Sequence, residues 1–253
     1  MLEVNNIELS FSGVRAIQGV SLSVPQGHLL SVIGPNGAGK TSLFNCISAV
    51  YRPQKGSIVF EGQELVGRKP HDVAALGVSR MFQNLGLFPM MTVLENLLVG
   101  RHHLYRTHFW NDLLWGQRTR AEEVAHRKRC EDVIDFMHLE RYRKTPVAIL
   151  PYGVRKRVEM ARALAMEPKL LLLDEPAAGL NQEETELMAR FMLDIKEELG
   201  VTQILIDHDL HFVMDLADSV AVLDFGKKIA QGSPQEVSKD PAVIEAYLGG
   251  AAH

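Results

Sequence analysis

The 253-residue chain predicts an α/β fold: a mostly parallel sheet wound by helices, a β-rich N-terminal stretch and a helical insert. Three features carry that expectation. Leu29-Leu30-Ser31-Val32-Ile33 and Leu170-Leu171-Leu172-Leu173 are short apolar runs, as in strands buried on both faces. Residues 2–33 alternate short β-prone runs with turn signals. From about residue 86 to residue 166 the texture shifts to helix formers and charge pairs, after which strands and helices alternate again.

Taken in order, Ile7-Leu9-Phe11 and Val20-Leu22-Val24 are β-prone, and Pro25-Gln26-Gly27 turns the chain into the first buried strand. After Ile33 comes Gly34-Pro35-Asn36-Gly37-Ala38-Gly39-Lys40-Thr41, which fits G-x-x-x-x-G-K-[ST], and Ser42-Leu43-Phe44 opens a helix. Strand, glycine loop, helix is the setting of a phosphate-binding loop. Glycines let the backbone curl until several N–H groups point inward at a helix N-terminus, forming an anion nest. Lys40 adds a point charge for β- and γ-phosphates, and Thr41 offers a hydroxyl to Mg²⁺. Residues 34–42, Ser42 included, are therefore candidate nucleotide-binding positions.

Gly56 to Phe60 is a further strand, closed by the Glu61-Gly62 turn. Pro70 to Leu76 is a short helix with Pro70 first and Gly77 as its stop. Val78 to Met81 returns as a strand leading to Gln83. In the insert, Thr92-Val93-Leu94-Glu95 is a capping box, and Arg118–Met137 and Gly153–Ala165 are helices. Beyond Leu173 come a helix over Glu183–Leu199, a strand over Gln203–Ile206, a helix over Leu210–Ala217 and a strand over Val220–Phe225. Ser233-Pro234 and Asp240-Pro241 each place a cap before a proline, opening two small closing helices. The expected organisation is one domain: 1–85 and 167–253 form the α/β core with its β subdomain, and 86–166 the helical subdomain.

Composition narrows the class. An apolar content of 46% and a charged content of 23% are ordinary for globular proteins. The net charge of −4 leaves no basic footprint for nucleic acid. No apolar run approaches the ~18 residues that span a bilayer, and Met1-Leu2-Glu3-Val4-Asn5 lacks the plan of a signal peptide. Cys46 and Cys130 do not make a disulfide framework. A cytoplasmic chain is expected, with any membrane association made through partners.

Asp174-Glu175 is the second chemical element. It closes a four-residue apolar strand, at the carboxyl end where open α/β sheets bind ligands. One carboxylate suits Mg²⁺ held through water, and the other suits polarising an attacking water.

With four further features the chain resembles the ATP-binding-cassette (ABC) ATPases along essentially its whole length. Gln83 follows a strand and precedes the insert, as the Q-loop glutamine does. Leu150-Pro151-Tyr152-Gly153-Val154-Arg155-Lys156-Arg157 is similar to the signature segment, and Pro176-Ala177-Ala178-Gly179-Leu180-Asn181 to the D-loop. His208, within Ile206-Asp207-His208-Asp209, takes the switch-histidine place. The resemblance implies a RecA-like P-loop NTPase core with an N-terminal antiparallel β subdomain and an inserted α-helical subdomain. It implies ATP and Mg²⁺ as ligands, with Thr41, Gln83 and Asp174 toward the metal. Glu175 becomes the general base, His208 the γ-phosphate contact, Gln83 the sensor of metal and water, and Phe11 the ring that stacks on adenine. It also implies a head-to-tail dimer in which Pro151, Tyr152 and Gly153 face the nucleotide of a second cassette. Two positions depart from the usual pattern: Pro151 stands for serine and Val154 for glutamine. Proline lacks a hydroxyl and an N–H, so Gly153 N–H and the helix dipole are expected to carry the contact across the dimer.

The D-loop, the Tyr152-Gly153 signature, the long insert and the ending Asp240-Pro241-Ala242-Val243-Ile244-Glu245-Ala246-Tyr247-Leu248-Gly249 look like the longer ATPase of bacterial branched-chain amino acid importers. That likeness implies two transmembrane permease subunits, a second ATPase in a homo- or heterodimer, an extracytoplasmic substrate-binding protein, and a place on the inner face of the membrane. The alternatives are a short-build exporter ATPase for lipid and a nucleotide-binding module without turnover; the presence of Glu175 and His208 argues against the latter. In the insert, Phe109 with Leu113 and Trp110 with Leu114 are at helical spacing among basic residues. They either pack inside the insert or face a permease or lipid headgroups.

Overall fold

A computed structural model describes residues 1–81, 86–104 and 116–249. Gln83 and the aromatic run 105–115 lie outside the described residues. The chain divides into two compact units, residues 1–80 with 169–253, and residues 81–168.

The first unit holds two sheets. The antiparallel sheet is formed by β1 (Leu2–Phe11), β2 (Val14–Val24), β4 (Lys55–Phe60) and β5 (Gln63–Glu64), in the order β2-β1-β4-β5. β1 pairs with β2 from Leu2↔Val24 to Phe11↔Val14. Ser12 and Gly13 turn that hairpin with φ of +44° and +92°, the left-handed pair that tight hairpins need.

The six-stranded sheet has the order β10-β9-β3-β8-β7-β6. Its strands are β3 (Leu29–Ile33), β6 (Val78–Met81), β7 (Leu170–Asp174), β8 (Thr202–Ile206), β9 (Ser219–Asp224) and β10 (Lys227–Gly232). β9, β3, β8 and β7 run parallel, and β10 returns antiparallel along β9. β3 lies between β8 and β9, and β7 between β8 and β6. Interior strands of a covered sheet have no wet face, so their sequences read as unbroken apolar runs.

Successive side chains of these strands point to opposite faces. One set, including Leu30, Val32, Leu170, Leu172, Ala221 and Leu223, joins a buried core with Leu2, Val4 and Ile7 of β1. Leu43, Phe44, Cys46 and Ile47 of α1 (Lys40–Ile47) complete that core. The other face is covered by α6 (Gln182–Glu197), where Gln203 Nε2 donates to Met192 O at 2.7 Å. This geometry directs the carboxyl ends of β3, β7 and β8 toward one rim, where α1 begins. The remaining helices of this unit are α2 (Pro70–Ala75), α7 (Leu210–Leu216), α8 (Pro234–Val237) and α9 (Pro241–Gly249).

The second unit is helical: α3 (Val93–Gly100), α4 (Gly116–Phe136) and α5 (Tyr152–Leu164), with short 3-10 turns between. Thr92 caps α3: its hydroxyl accepts from Glu95 N at 3.3 Å, and Glu95 Oε2 accepts from Thr92 N at 2.7 Å. A Cβ on Gly100 would lie 2.9 Å from the Arg162 carbonyl oxygen, so that glycine lets α3 lie tight against α5. The buried Arg101 donates to His126 Nδ1 at 3.0 Å and to Ala165 O at 2.6 Å, joining α4 and the end of α5. α5 starts at Tyr152, one residue before the sequence expectation, because Pro151 takes the cap position and pre-sets the entry φ at −54°.

Candidate nucleotide-binding and hydrolysis site

The phosphate-type loop follows β3 and has the backbone its glycines permit. Gly34, Gly37 and Gly39 have φ of +146°, +81° and +101°. A Cβ at Gly34 would lie 2.0 Å from the Leu223 carbonyl oxygen, and one at Gly39 would lie 2.4 Å from the Ala16 carbonyl oxygen. These two glycines let the loop run against β9 and against the β1–β2 hairpin. Ala38 N donates to Pro35 O at 3.2 Å, and Gly226 N to Ala38 O at 3.0 Å. Asn36 and Gly37 form the exposed tip.

Lys40 opens α1 and folds back over the loop, its Nζ donating to Gly34 O at 2.7 Å and Pro35 O at 2.9 Å. Burial lowers its pKa, while Glu175 and then Asp174 pull the other way. The three charges therefore share one site. Thr41 is exposed on the first turn of α1, and Ser42 is half-buried beside it.

At the end of β7, Asp174 is buried and Glu175 turns out of the strand. Glu175 has φ of +50°, a conformation that costs about 1–3 kcal/mol in a non-glycine residue and tends to mark functional positions. Its N–H donates to Ile206 O at 2.8 Å, which ties the bend to β8. Its carboxylate reaches His208: Oε1 lies 4.0 Å from Nδ1, with Glu175 24% and His208 68% exposed. His208 is held by the residue before it, since Asp207 Oδ1 accepts from His208 N at 2.8 Å and Asp209 N at 3.1 Å. Burial pushes the Asp207 carboxyl above its ordinary value, although both N–H bonds oppose this. Its buried Oδ2 has no hydrogen-bond partner among the described residues.

Phe11 lies at the end of β1, 42% exposed. It meets the Tyr51 ring edge-on at 5.0 Å between centroids and 68° between planes. The close approach of Ala16 to Gly39 places this hairpin beside the phosphate loop. Pro151, Tyr152 and Gly153 belong to the helical unit: Pro151 and Tyr152 are exposed, Gly153 is buried, and Pro151 gives α5 no side-chain cap. Tyr152 also has the Arg155 guanidinium 5.8 Å above its ring.

Three further residues of this rim are not legible as such in the sequence: Arg80, Asp207 and Tyr247. Arg80, on β6, donates to Asp174 Oδ2 at 2.7 Å. Asp207 acts through backbone contacts, accepting from His208 N and Asp209 N, which leave no side-chain pattern to read. Tyr247 on α9 hydrogen-bonds the backbone of Gly34; burial raises its pKa more than that bond lowers it. Tyr247 and Asp207 are marked in the sequence only by the motifs that contain them, and Arg80 by none.

A family profile described as ABC transporter matches residues 17–178, from the β2 strand through the Asp174-Glu175 pair. The chain belongs to the ABC transporter family. A second profile, branched-chain amino acid ATP-binding cassette transporter, matches residues 227–253 of this cassette. The cassette is 39% identical to the high-affinity branched-chain amino acid transport ATP-binding protein BraF of Pseudomonas aeruginosa, over 99% of this chain and 98% of that one. It is 37% identical to LivG of Escherichia coli, a protein of the same description, over the same shares. A crystal structure of a nucleotide-free ATP-binding cassette from an ABC transporter superposes with a TM-score of 0.85 at 31% identity, covering 98% of each chain. Another, in its ADP conformation, gives 0.85 at 30% identity with the same coverage. The fold is thus that of an ABC ATPase. The Thr41 hydroxyl and Asp174 carboxylate are hard oxygen donors of the kind Mg²⁺ takes, so the cassette's side chains fit that ion.

Proposed function

We propose that this chain is the ATP-binding and ATP-hydrolysing subunit of an importer for branched-chain amino acids or related small amides and acids. The observation that carries the reading is the gathering of Lys40, Asp174, Glu175 and His208 at one rim of the central sheet. The profile over residues 227–253 and the names of the BraF and LivG relatives support the substrate class.

In this reading the N–H groups of residues 36–41 hold the phosphates, and Lys40 exchanges its two carbonyl contacts for phosphate oxygens. Thr41 and Asp174, with Gln83, would hold Mg²⁺, which when bound would offset the negative charge of the phosphates. Glu175 takes a proton from the attacking water, and His208 donates to the γ-phosphate beside it. The π-face of Phe11 stacks on adenine. The signature residues Pro151, Tyr152 and Gly153 face the nucleotide of a second cassette in a head-to-tail dimer. Closure of that dimer drives two permease subunits, which an extracytoplasmic binding protein loads, and the cassette sits on the inner face of the membrane. The test is reconstitution in vesicles with both permeases and a second cassette, followed by phosphate release and uptake of labelled leucine. ATP-dependent uptake is expected. An assembled complex that releases no phosphate overturns the reading.

A further inference from the structure

Arg80 ties together the two elements that carry the candidate metal ligands. Its Nη2 donates to Asp174 Oδ2 at 2.7 Å on β7, and its Nη1 donates to Asn45 Oδ1 at 2.6 Å on α1. Asn45 lies one helical turn beyond Thr41. The guanidinium carbon sits 5.5 Å from the centre of the Phe44 ring. The side chains of Arg80 and Asp174 are 7% and 3% exposed. A planar fork with several donors can make both bonds at once, which a lysine ammonium does less well.

Charge gives this geometry a consequence. Asp174 and Glu175 stand against Lys40 and Arg80, two anions against two cations. A buried carboxylate already paired at 2.7 Å has little negative field left for a second cation. Nucleotide phosphates bring new negative charge to the rim. We propose that Arg80 is a positioning residue that keeps Asp174 neutralised and in register with Thr41, so that a divalent cation enters only together with nucleotide. The proposal rests on reading Asp174 as a metal ligand of the nucleotide site.

The test is the unfolding midpoint of the purified chain against MgCl₂, without nucleotide, for wild type, Arg80→Met, Arg80→Lys and Asp174→Asn. Wild type and Arg80→Lys should follow Asp174→Asn, with no saturable response. Arg80→Met should show a saturable rise of a few degrees in the midpoint, and Arg80→Met/Asp174→Asn should lose it. With nucleotide present, Arg80→Lys should leave KM for MgATP near wild type and lower kcat, because charge is kept and the arm to Asn45 is lost. A saturable Mg²⁺ response of the wild type that Asp174→Asn abolishes overturns the proposal, and this holds even if Arg80→Met does not fold. A folded Arg80→Met that behaves like its double variant overturns it as well. Absence of nucleotide binding by the wild type would instead strike the proposed function; the Mg²⁺ titration is run without nucleotide, so the two failures are told apart.

Discussion

Gly37→Ala and Gly39→Ala form a matched pair that isolates one contact of the phosphate loop. Both glycines have positive φ, +81° and +101°. An L side chain in such a conformation costs about 1–3 kcal/mol at either position. Their surroundings differ. A Cβ at Gly37 meets nothing within 4 Å, whereas one at Gly39 lies 2.4 Å from the Ala16 carbonyl oxygen. A relaxed carbon–oxygen contact is about 3.3–3.6 Å, so β2 must withdraw by about 1 Å. It is not free to do so, because Gln18 N donates to Gly226 O at 2.7 Å and Gln18 Nε2 to Phe225 O at 2.7 Å. Overpacking of this kind costs about 1–3 kcal/mol. Gly39→Ala should therefore be less stable than Gly37→Ala by about that amount in urea unfolding, with an unchanged m-value. It should also weaken adenine nucleotides more than tripolyphosphate, since the displaced hairpin carries Phe11. Equal losses in the two variants would refute the contact between loop and hairpin.

Glu175→Gln should keep ATP binding, accumulate a closed dimer in sedimentation, and slow phosphate release by about 10²–10⁴-fold; undiminished release removes Glu175 from the chemistry. For Asp207, the folded protein holds the carboxyl proton more tightly than the unfolded chain, because burial raises its pKa. Stability is therefore lost as pH climbs from the ordinary carboxylate range of about 4 toward the folded value. Asp207→Asn should gain relative to the parent across that window in pH-resolved unfolding, and a difference that does not vary with pH contradicts this. Pro151→Ser should place a capping hydroxyl on α5, whose cap backbone at φ −54° and ψ 153° already suits serine. The cap is worth about 0.5–2 kcal/mol, and the lost proline rigidity takes back about 0.4–1 kcal/mol. Unfolding should thus shift little while ATP-driven dimerisation and turnover rise. Unchanged turnover would show that position 151 does not limit the contact across the dimer.

The legible parts of this chain are those whose physics is local or uniform. Strands β3 and β7 stood out because interior strands leave no polar face to break the run. The capping boxes at Thr92–Glu95 and Ser233–Glu236 close within one helical turn, so three residues of spacing suffice to find them. The phosphate loop was readable because its glycines answer a backbone demand, although the partners that impose it, Leu223 and Ala16, were not. Arg80 shows the limit. It is one polar residue in the four-residue strand Val78-Ser79-Arg80-Met81, and its carboxylate partner is 94 positions away. Only the strand order, with β6 next to β7, brings them together. Tyr247 meets Gly34 for the same reason, through a helix that returns to the loop from the end of the chain.

The hidden features also share a cause. Glu175 bends out of β7 at φ +50°, and Asp207 keeps one carboxylate oxygen buried without a partner among the described residues. Each is unfavourable taken alone, and each lies at the end of a strand whose other residues are fully buried. The apolar runs of β7 and β8 fix those ends in place, and the bond from Glu175 N to Ile206 O locks one end to the other. A bent carboxylate therefore stays beside His208 at 4.0 Å instead of relaxing into solvent. Large-to-small changes beneath it, such as Leu173→Ala, should loosen that pairing before they unfold the sheet. The leucines of β7 thus act on the chemistry by holding Glu175 in a conformation it would not otherwise keep.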